Sequence, residues 1–147
     1  MYGGAGNDAL FGGTEADNFN GGTGNDTIDG GGGTDLLTGE AGADRFHFGT
    51  ALTVAGVATI TDFTHGVDKI ELSHAIFTKT NPAGGTLKGG MFFVGAHVHD
   101  GNDHIIYNQA NGWLVYDSNG KAAGGEHHFA TLAAHLHVSA SDFLIVS

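Results

Sequence analysis

The stretch from Gly3 to His47 decides the fold of this chain, because it is a tandem array with a fixed nine-residue period. Read in nines, it is GGAGNDALF (3–11), GGTEADNFN (12–20), GGTGNDTID (21–29), GGGGTDLLT (30–38) and GEAGADRFH (39–47). The sixth position is always aspartate (Asp8, Asp17, Asp26, Asp35, Asp44), and the eighth is always large and apolar (Leu10, Phe19, Ile28, Leu37, Phe46). A polar and an apolar signal therefore share one period, which is typical of a repeat architecture.

The array matches the nonapeptide pattern G-G-x-G-x-D-x-U-x of calcium-binding parallel β-helices. It therefore resembles the RTX, or hemolysin-type, calcium-binding repeats of Gram-negative secreted proteins. In each nonapeptide we expect six residues to form a tight turn, with glycines that permit strained backbone and carbonyls that point inward. The other three residues should form a short strand with its middle side chain in the interior. Two nonapeptides complete one coil, so alternate turns stack on the same edge, about 4.8 Å apart.

This stacking predicts two columns of aspartate, with Asp8, Asp26 and Asp44 on one edge and Asp17 and Asp35 on the other. Carboxylates at that spacing repel one another unless a cation lies between them. Calcium fits, because it takes about 6 to 8 hard oxygen ligands, whereas softer metals prefer His or Cys. We expect about three or four ions. The backbone carbonyls expected to contribute are those of Gly3, Ala5, Gly12, Thr14, Gly21, Gly22, Thr23, Gly24, Gly31, Gly33, Glu40 and Gly42.

Two residues depart from the repeat and are expected to weaken ion binding beside them. Glu15 stands at a fourth position where glycine is expected, and Glu40 replaces the second glycine of its repeat. Backbone carbonyls remain available at both positions.

The segment after the array reads as strand, turn, strand, with Ile60, Phe63, Ile70 and Leu72 buried. Its pattern I-x-D-F-x-x-G-x-D-K-I-x-L resembles the segment that follows the repeats in many RTX proteins, including the serralysin-type proteases. By that resemblance, Asp62 and Asp68 complete the last calcium site at the end of the roll. A polar turn between two strands is the alternative interpretation of this pair.

The rest of the chain predicts further short strands rather than helices. One helical turn is expected at 73–77, and strands at 91–94, 103–107, 113–116 and 128–132. The middle two should form a hairpin, because Asn111-Gly112 is a strong turn signal. The fold class is therefore all-β: a short parallel β-roll at residues 1–47, capped by a β-rich unit at residues 48–147.

Other metal sites are weaker expectations. Asp117 and Asn119 open a loop of oxygen ligands, and Asp100-Gly-Asn-Asp103 has a similar composition, but neither has the Glu twelve positions on that an EF-hand needs. Turn chemistry is the alternative for both loops. The histidine pairs His97/His99, His127/His128 and His135/His137 suggest a transition-metal site, yet no third ligand can be named.

Composition excludes several classes of protein. The chain has 147 residues, 16 acids against 5 bases, and a formal net charge of -11. Nucleic acid is therefore excluded as a partner, since its phosphates need Lys and Arg. Without cysteine, disulfides and thiolate sites are impossible. No apolar run reaches the roughly 18 residues of a membrane span, and no N-terminal secretory signal is recognisable.

The expected function is a calcium-binding module for folding and secretion at the C-terminus of a larger extracellular protein. The chain begins within the repeat register, so we expect a passenger domain upstream of this sequence. The end, Ser139 to Ser147, resembles the uncleaved signal of type I secretion substrates and implies that secretion machinery as a partner. The alternative is a module that binds polysaccharide, ice or a cell surface, as in RTX adhesins or epimerases. We expect no catalytic residues, because metalloprotease, nucleophile-elbow and Walker motifs are all lacking.

Overall fold

A computed structural model describes residues 1–52, 56–122 and 124–147. Within these ranges the chain forms short strands and two 3₁₀ turns, Gly89–Met91 and Ala140–Asp142. The strands are β1 (Tyr2–Ala5), β2 (Ala9–Phe11), β3 (Asn18–Thr23), β4 (Thr27–Asp29), β5 (Leu36–Ala41), β6 (Arg45–Phe48), β7 (Ala58–Ile60), β8 (Lys69–Ser73), β9 (Gly85–Thr86), β10 (Phe92–Val94), β11 (Ile105–Asn108), β12 (Trp113–Asp117), β13 (Glu126–Thr131) and β14 (Phe143–Val146). No helical segment in the described ranges has the length and apolar character needed to cross a membrane.

Successive strands of the array alternate between two sheets. One sheet has the order β1-β3-β5-β7-β13-β12-β11-β10, and the other has the order β2-β4-β6-β8-β14-β9. Inside the array all pairs are parallel, and partners lie 18 residues apart, as in Tyr2 with Asn20 and Leu10 with Ile28. Two nonapeptides therefore make one coil, and the all-β fold with a parallel β-roll is confirmed.

The eighth residue of each repeat fills the space between the sheets. Leu10, Phe19, Ile28, Leu37 and Phe46 are all buried there. Alternation along a strand turns the middle side chain of each three-residue strand inward. Burial of each large apolar side chain contributes about 1.5–3 kcal/mol, so this ladder is the main apolar support of the roll.

The roll continues past residue 47 with longer coils. Strand β7 pairs in parallel with β5, where Leu37 faces Ile60, and β8 pairs in parallel with β6, where Phe46 faces Ile70. The extra residues lie in the connections that precede β7 and β8. Strands before and after residue 47 thus pair with each other in both sheets. The division into two domains at this residue stays a prediction.

A three-stranded antiparallel unit extends the first sheet. Strands β11 and β12 form the expected hairpin, and β13 pairs antiparallel with β12 and parallel with β7. Its inner face packs through aromatic rings, with Phe77 at 5.0 Å from Tyr116 and 5.1 Å from Phe129 between ring centroids. In the second sheet β14 lies between β8, to which it is parallel, and the edge strand β9, to which it is antiparallel.

Several boundaries differ from the expected ones for local reasons. The turn at 73–77 forms, with the Phe77 amide donating to the Ser73 carbonyl at 2.9 Å. Strand β10 begins at Phe92, because Gly89–Met91 is a 3₁₀ turn. Strand β11 begins at Ile105 rather than at residue 103, since the Asp103 carboxylate accepts two loop amides instead of facing a partner strand.

Candidate metal centre

One edge of the roll carries a continuous column of aspartates. Oδ1 of Asp26 accepts the Asp8 amide at 2.8 Å, and Oδ1 of Asp44 accepts the Asp26 amide at 2.9 Å. The same contact links Oδ1 of Asp68 to the Asp44 amide at 3.0 Å. Each carboxylate is thus fixed to the backbone of the preceding coil by one oxygen. Asp68 extends the column beyond the array by one member.

The opposite edge carries a shorter column of the same construction. Oδ1 of Asp35 accepts the Asp17 amide at 3.0 Å, and Oδ2 of Asp17 accepts the Gly13 amide at 3.2 Å. After Asp35 the next coil presents Gly56, which lies directly against the Gly33 carbonyl. This edge therefore brings together two aspartates where the other brings together four.

The second oxygens of two column members are buried and have no hydrogen-bond donor among the residues that the structure describes. These atoms are Oδ2 of Asp8 and Oδ2 of Asp26. A buried ionised oxygen without a partner costs several kcal/mol unless a cation or donor compensates it. The two oxygens therefore mark positions where a cation would stabilise the fold.

The first glycine of each repeat leaves a cradle beside the carboxylate. A Cβ at Gly3 would lie 2.7 Å from Oδ2 of Asp8 and 2.6 Å from the Gly21 carbonyl oxygen. A Cβ at Gly21 would collide with Oδ2 of Asp26 and lie 2.9 Å from the Gly39 carbonyl oxygen. A carboxylate oxygen and a carbonyl oxygen of the next coil thus approach one small space. Such a set of hard oxygens suits calcium.

Carbonyls of the second and fourth positions stack in the same way. Gly22 and Gly24 have φ angles of 108° and 121°, and side chains there would collide with the carbonyls of Gly4 and Gly6. Among the expected ligand carbonyls, that of Thr23 already accepts the Gly6 amide at 2.7 Å. The carbonyls of Gly30 and Gly39 were not expected as ligands, although they occupy the same repeat position as Gly3, Gly12 and Gly21; the structure places both at the cradles.

Glu40 holds the backbone conformation that its repeat position requires. Its φ angle is 69°, and three of the other four second-position residues, Gly4, Gly22 and Gly31, also have positive φ angles. Its side chain accepts a hydrogen bond from Asn20 Nδ2 at 2.7 Å. Glu15, at the other departure from the pattern, is exposed. The strain at Glu40 is therefore in the backbone, beside an intact carbonyl.

The two residues assigned to the end of the roll have all their oxygens engaged by amides. The carboxylate of Asp62 accepts the Gly39 amide at 3.0 Å and the Glu40 amide at 2.7 Å. Oδ2 of Asp68 accepts the Thr64 amide at 2.7 Å. Both residues lie at the end of the column, as the resemblance implied. Their role as calcium ligands stays a prediction.

Burial and mutual repulsion oppose the ionised form of the columns. Burial, followed by the charges of Asp17 and Asp29, raises the pKa of Asp35 above its ordinary value. Burial, followed by the charges of Asp68, Asp26 and Asp62, raises the pKa of Asp44. Burial also raises the pKa of Asp68. A bound cation would relieve both effects by neutralising the carboxylates.

The weaker candidates have local structural roles. Oδ1 of Asp117 accepts the Asn119 amide at 2.9 Å, and its Oδ2 is buried without a donor within the described ranges. Asn119 itself is exposed. Asp103 accepts the amides of His99 and Asp100, both at 2.9 Å, which is turn chemistry. Metal binding at Asp117 and Asn119 stays a prediction.

The histidine pairs lie in different settings. His97 and His99 fall outside any strand, so the alternation argument does not apply to them. His128 lies in β13, stacks on Trp113 with 4.3 Å between ring centroids, and has a pKa lowered by burial. His137 packs edge-on against His65 at 4.3 Å. These contacts are packing contacts between rings.

Parallel coils, stacked carboxylates and oxygen-lined cradles define a calcium-binding β-roll. The family model described as the RTX calcium-binding nonapeptide repeat matches this chain in four copies, at residues 1–18 and 11–46. The array at residues 1–46 therefore consists of RTX calcium-binding repeats.

Comparison with solved structures finds 27 matching chains, among them a domain of low sequence identity. The solution structure of the AlgE6R3 subunit from the Azotobacter vinelandii mannuronan C5-epimerase is 21% identical, with a TM-score of 0.43. The similarity covers 97% of this chain and 80% of that one. The epimerase activity in its name belongs to that protein. No curated protein matches this chain.

Proposed function

We propose that this chain is a calcium-dependent folding and export module of a larger secreted protein, and that it does not itself catalyse a reaction. The observation that carries the proposal is the pair of buried, unpartnered oxygens on Asp8 and Asp26 beside glycine cradles. Where calcium is scarce, the columns repel and the glycines favour the unfolded chain. Where calcium is abundant, the same oxygens bind it.

The energies are of the right size for such a switch. Calcium sites of extracellular modules bind the ion with a Kd of about 10⁻⁴ to 10⁻³ M. At about 1 mM calcium, a site with a Kd near 0.1 mM adds about 1.4 kcal/mol to folding stability. About three such sites add roughly 4 kcal/mol, which approaches the net stability of a small domain.

A calcium titration of the isolated chain tests the folding part of the proposal. In calcium-free buffer, circular dichroism should show a disordered array, and added calcium should produce a cooperative gain of β signal. Magnesium at the same concentration is the matched control and should fail, because it keeps its water and demands tighter octahedral geometry. A fully formed roll in calcium-free buffer would contradict the proposal.

The export part rests on the residues at 139–147 and needs a separate experiment. In the folded chain Phe143 and Ile145 are buried in β14, so we propose that the secretion machinery reads this segment before folding. A fused passenger should be exported by cells carrying a type I system, and deletion of 142–147 should stop export. Unchanged export after the deletion would refute this part.

A surface-binding role is the second candidate, and Trp113 is the observation that favours it. Its side chain lies on the outer face of β12 and is 45% exposed, stacked on His128. Exposed large aromatics often belong to binding surfaces. Binding to a glycan array that is lost in Trp113→Ala, with calcium-dependent folding unchanged, would support this role. Equal glycan binding by the variant would exclude Trp113 from it.

A further inference from the structure

The buried carboxylate of Asp142, in the 3₁₀ turn before β14, contacts the loop at residues 62–68 between β7 and β8. Asp142 is fully buried, and its Oδ1 accepts the Gly66 amide at 3.1 Å. Its Oδ2 accepts the Ser139 amide at 2.8 Å and lies 2.6 Å from Nδ1 of His65. Residues 65 and 142 are far apart in sequence, so this contact forms only in the folded chain.

The same loop carries the two aspartates at the end of the calcium column. Between β7 and β8, the Thr64 amide donates to Asp68, and the Thr64 carbonyl accepts the Asp68 amide at 2.9 Å. Asp68 in turn accepts the Asp44 amide. A short path of hydrogen bonds therefore runs from the column through loop 62–68 to the residues that Asp142 holds.

We propose that Asp142 is a positioning residue for the calcium ion at the end of the roll, because it fixes the loop that carries Asp62 and Asp68. Docking of residues 139–146 and binding of that ion are then coupled, each favouring the other by the same factor. The inference rests on the proposed calcium-dependent function. Asp142 is not a ligand in this scheme, since its oxygens face Gly66, Ser139 and His65 rather than the column.

Two further contacts bind the same elements together. Lys69 Nζ donates to the Ser141 carbonyl at 2.9 Å, and β14 pairs in parallel with β8 from Phe143 with Ile70 onward. The loop has one buried apolar anchor, Phe63, whereas Val67 is exposed and Gly66 has a φ of 78°. With little apolar packing of its own, the loop is held mainly by hydrogen bonds, and those of Asp142 fix its residues 65 and 66.

The other ion positions provide an internal comparison. The cradles at Gly3 and Gly21 lie against Asp8 and Asp26, which are three coils and two coils before Asp68 of the loop. Asp142 should therefore affect the last ion and leave these unchanged. A residue that merely stabilised the fold would affect all ions together.

The test is a calorimetric calcium titration of the full chain carrying Asp142→Asn. Asparagine has nearly the same size as aspartate, but it has one acceptor oxygen in place of the two that accept from Gly66, Ser139 and His65. We expect one class of ion to bind about tenfold more weakly, and the others to keep their affinity. Asp103→Asn is the matched control, a buried carboxylate that also accepts two loop amides but lies away from the roll. Asp103→Asn should leave the calcium affinity of every class of site unchanged.

A double-mutant cycle separates positioning from general stability. In an Asp68→Asn background, which removes the last ion, Asp142→Asn should have no further effect on calcium binding. In an Asp26→Asn background its effect should be retained in full. Equal effects in the two backgrounds, or uniform weakening of all ions by Asp142→Asn, would overturn the proposal.

Hydrogen exchange on the unmodified chain keeps the proposal testable if the variant does not fold. Amides of Gly66 and residues 143–146 should gain protection over the same calcium range as Asp44. Protection of 143–146 in calcium-free buffer would overturn the coupling. If the chain bound no calcium in any experiment, the proposed function itself would fail, which is a different outcome from normal calcium binding without coupling.

Discussion

Asp26 uses its two carboxylate oxygens for different tasks. Oδ1 fixes the Asp8 amide of the preceding coil, while Oδ2 is buried without a donor beside the cradle of Gly21. Its neighbours in the column are Asp8 on one side and Asp44 on the other. Under the proposed stacking of ions between successive aspartates, Asp26 borders two ion positions, whereas Asp8 borders one.

Substitution of Asp26 should therefore cost more stability than substitution of Asp8. At about 1 mM calcium, loss of two ions from Asp26→Asn should cost about 2.8 kcal/mol, and loss of one from Asp8→Asn about 1.4 kcal/mol. The difference would be read from urea unfolding at fixed calcium. Equal losses would contradict the shared position of Asp26.

Backbone conformation at the second repeat position predicts that substitutions at Glu40 and Gly22 change the stability in opposite directions. Glu40 adopts a φ of 69°, a left-handed conformation that costs a non-glycine residue about 1–2 kcal/mol. Glu40→Gly should therefore stabilise the calcium-bound chain by about 0.5–1 kcal/mol, after loss of the Asn20 contact. Gly22→Ala should destabilise it, because the new Cβ would collide with the Gly4 carbonyl. Urea unfolding in saturating calcium measures both; a destabilising Glu40→Gly would show that its side chain matters more than its backbone.

At the scale of elements, the apolar ladder and the polar columns depend on the same short strands. Phe46 lies in β6 between Ile28 of β4 and Ile70 of β8 and is fully buried. The strand that carries it begins directly after Asp44. Ion positions and core packing are therefore parts of one coil, and a cavity in the core should weaken calcium binding.

Phe46→Ala should destabilise the calcium-bound protein by about 3–5 kcal/mol, the usual cost of emptying a phenylalanine site. It should also raise the calcium concentration needed for folding. Phe11→Ala provides the control, since Phe11 is 62% exposed at the ninth position of its repeat, and its effect should stay within about 0.5 kcal/mol. Thermal unfolding and calcium titration check both; similar losses from the two variants would refute the inward placement of the eighth residue.

The elements also show which parts of the fold the sequence could predict. The nine-residue period predicted the positions of the aspartates and of the apolar ladder from Leu10 to Phe46, because spacing alone fixes which residues share an edge or a face. The insertion of β13 between β7 and β12 was not predictable, since no local pattern encodes which strands pair at long range. The contact of Asp142 with His65 was not predictable for the same reason. The resemblance suggested Asp62 as a calcium ligand, but it did not indicate that the Asp62 carboxylate accepts the Gly39 and Glu40 amides.

For the whole molecule, the buried aspartates couple folding to pH. The pKa values of Asp35, Asp44 and Asp68 are raised in the folded chain, chiefly by burial. Between the ordinary carboxyl pKa and the raised values, the folded state binds more protons than the unfolded state, so stability rises as pH falls through the raised values. The pKa of Asp142 is lowered: burial alone would raise it, but hydrogen bonds from Ser139, His65 and Gly66 outweigh burial. Its contribution is lost only at still lower pH.

The calcium-free chain should therefore gain β structure on acidification from pH 7 toward about pH 4.5. Circular dichroism of chelator-treated protein measures this, and Asp44→Asn should reduce the gain because it removes one titrating member of the column. With calcium present the gain should be absent, since protons then compete with the ion. Loss of structure over this range without calcium would contradict the assigned pKa directions.

The register of 18 residues per coil has a mechanical consequence. A fully extended segment of that length spans about 60 Å, whereas one coil adds only about 4.8 Å to the height of the roll. Each coil that closes around an ion therefore draws in more than ten times its own height of chain. Under the proposed calcium-dependent folding, the end-to-end length of the array would fall steeply as the calcium concentration rose.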